Sequence, residues 1–390
     1  MKLCIVTHNV KKGDGQGRVN YEITWEAIRR GHHVTILASE VALELQKHPQ
    51  VKWVCIPVRG WPGELLRNMI FSWQSATWLR QHQCSCDLVK VNGAITKAAE
   101  VDVNAVHFVH NSWLKFSQKA VKPKSVWTIF HPRGILYDFY QWLYTAANAY
   151  WEKKAFEQAR VIVAISHQVA QELLAIGVPA ERLQVILNGV DLQEFSPGTT
   201  DRSVWNLPKT VPLALFAGDI RIPRKNLDTV LQALVEVPQL HLAVAGITEG
   251  SPYIKLAASL GLSERVHFLG LCHNVPQLMK AVDFLVFPSR YEPFGLVVIE
   301  AMACGLPVIT ASTTGAAELV TPESGIVIAD PDDRQALAQA LLSLTNDRAL
   351  RQKMGKTART IAEQHSWNQM AKSYVDLFEN LHKQTSLPDG

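Results

Sequence analysis

The chain has 390 residues, 47% of them apolar, with 39 Lys and Arg against 35 Asp and Glu for a formal charge of +4. At roughly 100–200 residues per domain this is enough for about two packed cores, which excludes a disordered or fibrous protein. The basic residues are interspersed rather than gathered on one segment, which argues against a nucleic-acid partner.

Residues 3–7 form a short apolar run, followed by the glycine loop Gly13, Gly15 and Gly17 and an amphipathic stretch over 19–30 that Gly31 stops. Apolar runs at 33–38, 51–57, 87–91 and 103–109, with a helical pattern over 65–81, continue this strand-and-helix rhythm. Continuous apolar strands separated by helices are the pattern of a parallel sheet covered on both faces. A long aromatic-rich helix is expected over 135–158, a buried strand over 160–165, and a helix over 169–176 ending at Gly177.

Phe195-Ser196-Pro197-Gly198 and the polar residues 199–203 read as a linker. A second strand series follows at 213–217, 240–245, 266–268, 284–287, 307–310 and 325–328. The expected architecture is α/β, with two Rossmann-like lobes whose parallel sheets face an interdomain cleft. The first lobe spans 1–200, the second 201–366, and a last helix over 367–390 returns to the first.

Six cysteines are thinly spread, and Cys84-Ser85-Cys86 has no second pair at zinc-like spacing. It reads as a surface turn with free thiols in a reducing, cytoplasmic compartment. Met1–His8 is too short for a signal-peptide apolar region, and no uninterrupted run of about 18 apolar residues exists. The expectation is a soluble protein. The aromatic and basic segments 61–80 and 113–151 suit core packing or acceptor recognition, or a peripheral contact at the inner face of the membrane.

Residues 288–309 carry the most chemistry: strand, loop, helix, glycine stop and strand. Pro293 and Gly295 fix the loop, and the helix that starts near Leu296 presents unpaired N–H groups that bind anions without a side chain. Glu292 and Glu300 have seven residues between them, Phe294-Gly295 included. Carboxylates repel phosphate, so the pair suits sugar or ribose hydroxyls beside a phosphate held by the amides. The loop Gly218–Asn226 brings Arg221, Arg224 and Lys225 to the end of the second lobe's first strand, where fixed cations stabilise a departing diphosphate.

Glu292-x7-Glu300 around Pro293-Phe294-Gly295 resembles the signature of the retaining GT-B glycosyltransferases of family four, the group 1 type. Asn188-Gly189-Val190-Asp191 with Phe195-Ser196-Pro197, Gly218 with Lys225-Asn226, and Ser166 after its strand are similar to that family as well. The resemblance implies that Glu292 contacts the transferred sugar and that Glu300 binds the nucleotide ribose. It implies a donor diphosphate on Gly218, Phe294, Gly295, Leu296 and Lys225. The family usually has an Arg directly after the glycine, but Asp219 stands there, so Arg221 or Arg224 must substitute.

Gly15 and Gly17 are similar to the family's N-terminal glycine loop near the donor phosphates. His110, or its neighbour His107, stands where the family often has a His by the sugar, with His107 and Asn111 expected on the acceptor side. The implied activity moves a sugar from a nucleotide-diphosphate sugar, a substrate rather than a cofactor, to a glycan, lipid-linked or small-molecule acceptor. No metal is implied, because Asp330-Pro331-Asp332-Asp333 reads as a helix cap. Met354-Gly355-Lys356-Thr357 mimics the end of a phosphate loop, but it lies in a helical pattern where Leu350 replaces the first glycine. A nucleotide-sugar epimerase of the same fold and a non-catalytic sugar-nucleotide-binding subunit stay open at this point.

Overall fold

The computed structural model describes residues 1–82, 85–97, 100–114 and 134–386. The chain divides into two compact units, Met1–Leu187 with Asn368–Gly390, and Asn188–Trp367. The boundary lies before the expected joint near 200. Val190 N–H donates to the His365 carbonyl at 2.9 Å and the Val190 carbonyl accepts from Trp367 N–H at 3.2 Å, a parallel bridge to Ser366 that ties this segment to the second unit. The expected linker at 195–198 is packed rather than free: Phe195 is buried, its carbonyl accepts from Arg359, and Ser196 accepts from Lys280.

In the first unit the strands are β1 (Lys2–Val6), β2 (Asn9–Val10), β3 (His33–Ala38), β4 (Glu40–Val41), β5 (Val51–Cys55), β6 (Leu88–Asn92), β7 (Val101–Val106), β8 (Ala159–Ala164) and β9 (Leu183–Val185). Seven of them form one parallel sheet in the order β5-β3-β1-β6-β7-β8-β9, and β2 pairs with β4 separately. The order reverses between β1 and β6, so the loops after these two strands splay apart and leave a crevice at their carboxyl ends.

The glycine loop is not a loop throughout. The helix Gly15–Arg29 begins four residues earlier than the apolar pattern predicts, because Asp14 caps it by accepting from the Gly17 N–H. A Cβ at residue 17 would come within 2.9 Å of the Asp14 carboxylate and 3.1 Å of the Lys11 carbonyl, so a side chain there would crowd this cap. The long helix Gly134–Gln158 runs into β8. The final helix, Trp367–Ser386, buries Met370, Tyr374, Val375 and Phe378, and from residue 368 on it belongs to this first unit. Arg30 holds it through Asp376 at 2.6 Å and Glu379 at 3.1 Å.

The second unit has β10 (Leu213–Ala217), β11 (His241–Ala245), β12 (Val266–Gly270), β13 (Phe284–Phe287), β14 (Val308–Ala311) and β15 (Gly325–Ile328) in one parallel sheet ordered β12-β11-β10-β13-β14-β15. Its order reverses between β10 and β13. The loops that follow those strands are Gly218–Asn226 and Pro288–Gly295, which hold the candidate residues. Asp333 accepts from Ala336 N–H at 2.9 Å as the cap of the helix Arg334–Asn346. Met354–Thr357 lies inside the helix Arg348–Glu363.

Candidate active site

In the second unit the two loops after β10 and β13 meet on one carboxylate. Glu292 Oε2 accepts from Lys225 Nζ in a close ion pair and from an Arg224 guanidinium N–H at 2.9 Å. The same Arg224 nitrogen donates to the Tyr291 carbonyl at 2.7 Å, which fixes its plane. Lys225 is mostly buried; desolvation pulls its pKa down, and the neighbouring Glu292 charge acts against that pull. Asn226 takes a left-handed conformation, and its buried side chain donates to the Pro288 carbonyl at 2.9 Å, pinning the first loop to the second.

Of the two arginines left open by the sequence, Arg224 is the one beside Lys225. Arg221 folds back on Asp219, with bonds of 2.9 and 2.7 Å. That pairing holds the Asp219 carboxyl below its usual range. Asp219 thus occupies a nearby cation.

Phe287, at the end of β13, is the shared floor. A Cβ at Gly218 would lie 3.5 Å from its ring and 3.7 Å from Lys225 Cδ, and the Lys225 ammonium stands 5.1 Å from the ring centroid. A Cβ at Gly295 would lie 3.6 Å from the same ring, 3.2 Å from Glu292 Cγ and 2.9 Å from Thr314. Gly295 also has φ of +88°, so both its conformation and its surroundings demand glycine. One ring therefore gathers Gly218, Lys225 and Gly295.

Gly295 is the cap residue of the helix Leu296–Ala303 and offers no side chain to its first-turn N–H groups. The helix is buried on the face of Val298, Ile299, Met302 and Ala303, while Leu296, Val297 and Glu300 are half-buried on another. Phe294 is buried and its carbonyl accepts from Ala316 N–H at 2.7 Å. Burial, and then the charge of Glu194, push the Glu300 carboxyl up to about 7. The residues missed by sequence reasoning are Phe287 and the segment 313–315. Glu292 N–H donates to the Thr313 carbonyl at 3.0 Å and its own carbonyl accepts from Gly315 N–H at 2.8 Å. No local motif marks either, because both contacts come from the next strand's loop.

The first unit has its own cavity of 610 Å³ over the carboxyl ends of β6 and β7. Gln16, Asn68, Ser72, Asn92, Thr96 and Asn148 give it amide and hydroxyl walls, and Phe108, Tyr144 and Trp151 add aromatic rings. His107 and His110 both line it. Burial, and then the charge of Lys90, press His107 down to about 3, which keeps its ring neutral. His110 Nδ1 lies 2.6 Å from the buried Glu152 carboxylate, whose other oxygen accepts from His110 N–H at 2.9 Å. A carboxylate only accepts, so Nδ1 carries the proton.

Asn111 is not among the residues that line this cavity. Gly15 and Gly17 lie in the first turn of their helix, whose Gln16 reaches the cavity wall. Of the aromatic segments 61–80 and 113–151, Phe71 is buried, Met69 and Tyr144 face the cavity, and Trp61, Trp73 and Trp142 are exposed. Residues 115–133 of that stretch, and Cys84, lie outside the described residues. Cys86 is a free, half-buried thiol, as expected, and it lies beside the buried Cys4. Among the described residues no helix is long and apolar enough to cross a membrane.

Residues 198–361 match the family described as glycosyl transferases group 1, and residues 13–194 match glycosyltransferase family 4. A D-inositol 3-phosphate glycosyltransferase of Xylanimonas cellulosilytica is 30% identical over 253 residues, 60% of this chain and 60% of the relative. Another, from Salinispora tropica, is 30% identical over 257 residues, 60% of this chain and 53% of the relative. The matched region thus spans less than two thirds of these relatives' length. Among solved structures, sucrose-phosphate synthase from Thermosynechococcus elongatus has a TM-score of 0.78 at 21% identity, covering 98% of this chain and 99% of that one. Anabaena HepE, in complex with UDP and glucose, has a TM-score of 0.70 at 21% identity, covering 99% and 100%. These two likenesses concern the fold.

Proposed function

Because the chain belongs to the group 1 glycosyltransferases of the GT-B fold, we propose that it moves a sugar from a nucleoside diphosphate sugar to an acceptor hydroxyl with retention of configuration. The observation that carries this reading is the meeting of Lys225, Arg224 and Glu292 at the sheet reversal, on the ring that Gly295 also touches. The donor diphosphate would lie against the two cations and the open N–H groups of Gly295 and Leu296, near Gly218. Glu292 now occupies the cations. An incoming diphosphate would compete for them and free that carboxylate for the hydroxyls of the transferred sugar.

Glu300, about one turn along the same helix, would hold the nucleotide ribose. Its raised pKa suits a group that meets neutral hydroxyls rather than phosphate. As the glycosidic bond breaks, charge grows on the diphosphate, and fixed cations there lower the barrier without waiting for solvent to reorganise. Lys225 and Arg224 supply that charge, so the reading needs no divalent metal. The departing phosphate oxygen would take the acceptor's proton. HepE, in complex with UDP and glucose, and the relatives named for D-inositol 3-phosphate support a UDP-type donor and a hydroxyl-rich acceptor. The first unit's cavity, with neutral His107 and the His110–Glu152 pair, is the proposed acceptor site.

Radiolabelled transfer from UDP-, GDP- and ADP-sugars to a panel of sugars, cyclitols and lipid-linked glycans tests the reading. Lys225→Ala and Glu292→Gln should each lower kcat by about 10²–10³-fold while the melting temperature moves by a few degrees at most. Turnover lost only in step with folded protein would overturn it. Conversion of a donor with no acceptor present would point to an epimerase instead.

A further inference from the structure

A lysine in the middle of a buried strand is rarely there for packing, and Lys90 on β6 is 0% exposed. It lies two residues from Asn92 on the same strand, so the two side chains share one face of the sheet. Its Nζ donates to Asn92 Oδ1 at 2.7 Å and, more closely, to Asn20 Oδ1. Among the described residues no carboxylate pairs with it. Burial pushes it down to about 7, so it can stand as ammonium or as amine, and in either form it keeps at least two N–H groups for the two oxygens.

This has a geometric consequence at both asparagines. An amide whose oxygen faces Lys90 must turn its NH₂ the other way. Asn20 turns its NH₂ to Thr7 Oγ1 at 3.2 Å and to the Gln16 carbonyl at 2.9 Å, fastening the first turn of the helix Gly15–Arg29. Asn92, 4% exposed, turns its NH₂ to no acceptor among the described residues, and it lines the 610 Å³ cavity. His107 Nε2, also on that cavity, is likewise without a described partner. A buried donor left open costs about 1–3 kcal/mol. An open donor on a residue that lines a polar cavity suits a ligand that accepts the bond.

We propose that Lys90 is a positioning residue for this cavity: it locks Asn92 so that the amide donates to an oxygen of a bound small molecule, a hydroxyl or a phosphoryl oxygen. If the transferase reading holds, that molecule is the acceptor. The lysine itself does not line the cavity and touches no ligand. Its contribution is to remove the flipped state of the amide, which would present an oxygen where a donor is needed.

The test uses the full chain labelled with [¹⁵N]asparagine, titrated separately with glucose, which offers neutral hydroxyls, and with inorganic phosphate, which offers an anion. The Asn92 side-chain signal, assigned by its loss in Asn92→Leu, should shift with one of the two, and that arm names the source of the oxygen. Lys90→Met should weaken this binding about fivefold to tenfold in an otherwise wild-type chain and not at all in the Asn92→Leu background. Lys90→Gln keeps a donor for the oxygens and should retain most of the affinity. Asn92→Asp should lose affinity while raising Tm, because it gives Lys90 a counter-charge but offers no donor.

An equal loss from Lys90→Met in both backgrounds, or an Asn92 signal that responds to neither probe, would overturn the inference. Should Lys90→Met not fold, Lys90→Gln and Asn92→Asp decide the matter: affinity kept in both, or lost in both, counts against it. UDP binding in the same samples, read by thermal shift, reports on the C-terminal unit. Its failure counts against the transferase reading without altering the NMR result.

Discussion

Glu300 shows how a single carboxyl can combine a stability cost with a binding role. Its ordinary value of 4.5 applies to the unfolded chain, and in the fold it is pushed up to about 7 by burial and by Glu194. Between these values the native state binds more protons than the unfolded state, so this group's contribution to stability falls as pH rises from about 4.5 to 7. Glu300→Gln should therefore raise the unfolding free energy by about 1–2 kcal/mol at pH 8, allowing for its partial exposure, and change little at pH 4. Urea unfolding at the two pH values measures this. A gain confined to pH 4 would mean that the site favours the charged carboxylate. Sequence spacing identified Glu292 and Glu300 as candidates, but not their different surroundings. Glu292 is held by two cations that precede it by 67 and 68 positions, while Glu300 stands nearer another acid.

At the scale of elements, local chemistry and long-range sterics can oppose each other, and the helix Arg348–Glu363 separates them. Gly355 lies in its interior, where alanine is the better helix former by about 1 kcal/mol. A Cβ at residue 355, however, would stand 2.1 Å from the Gly305 carbonyl oxygen, after the helix Leu296–Ala303. Gly355→Ala should accordingly destabilise the fold by about 1–3 kcal/mol, as overpacking does, with the sign opposite to that of propensity. Chemical denaturation of the variant gives that sign directly. The same contact gives the glycine of a stretch that resembles a phosphate loop a packing role. The strand pattern, the glycine stops and the acidic caps were readable along the chain. The early start of the helix at Gly15 was less so, since apolar periodicity begins only where the helix meets the core, and the cap by Asp14 precedes it.

For the molecule as a whole, the last helix completes the unit in which the chain begins. Met370, Ala371, Tyr374, Val375, Phe378 and Leu381 are buried, and Arg160 adds bonds to Gln384 at 2.9 Å and Thr385 at 3.0 Å. Removing residues 368–390 should lower the melting transition of the N-terminal unit, while UDP still protects the C-terminal unit at its wild-type temperature. Calorimetry with and without UDP resolves the two transitions, and an equal fall in both would show that the helix stabilises more than its own unit.

Sequence alone determined the two-lobe α/β class and the residues around Glu292, because continuous apolar strands, glycine stops and a fixed spacing are properties of neighbouring positions. Only the tertiary structure decided that Arg224 rather than Arg221 joins Lys225, that Phe287 floors the site, that Glu152 grips His110, and that Lys90 faces two asparagines. Apart from the Asp219–Arg221 and Lys90–Asn92 pairs, which are two residues apart, those outcomes depend on which elements lie beside which in the fold. That order is set by crossover connections between segments far apart in the chain, and no local pattern encodes it.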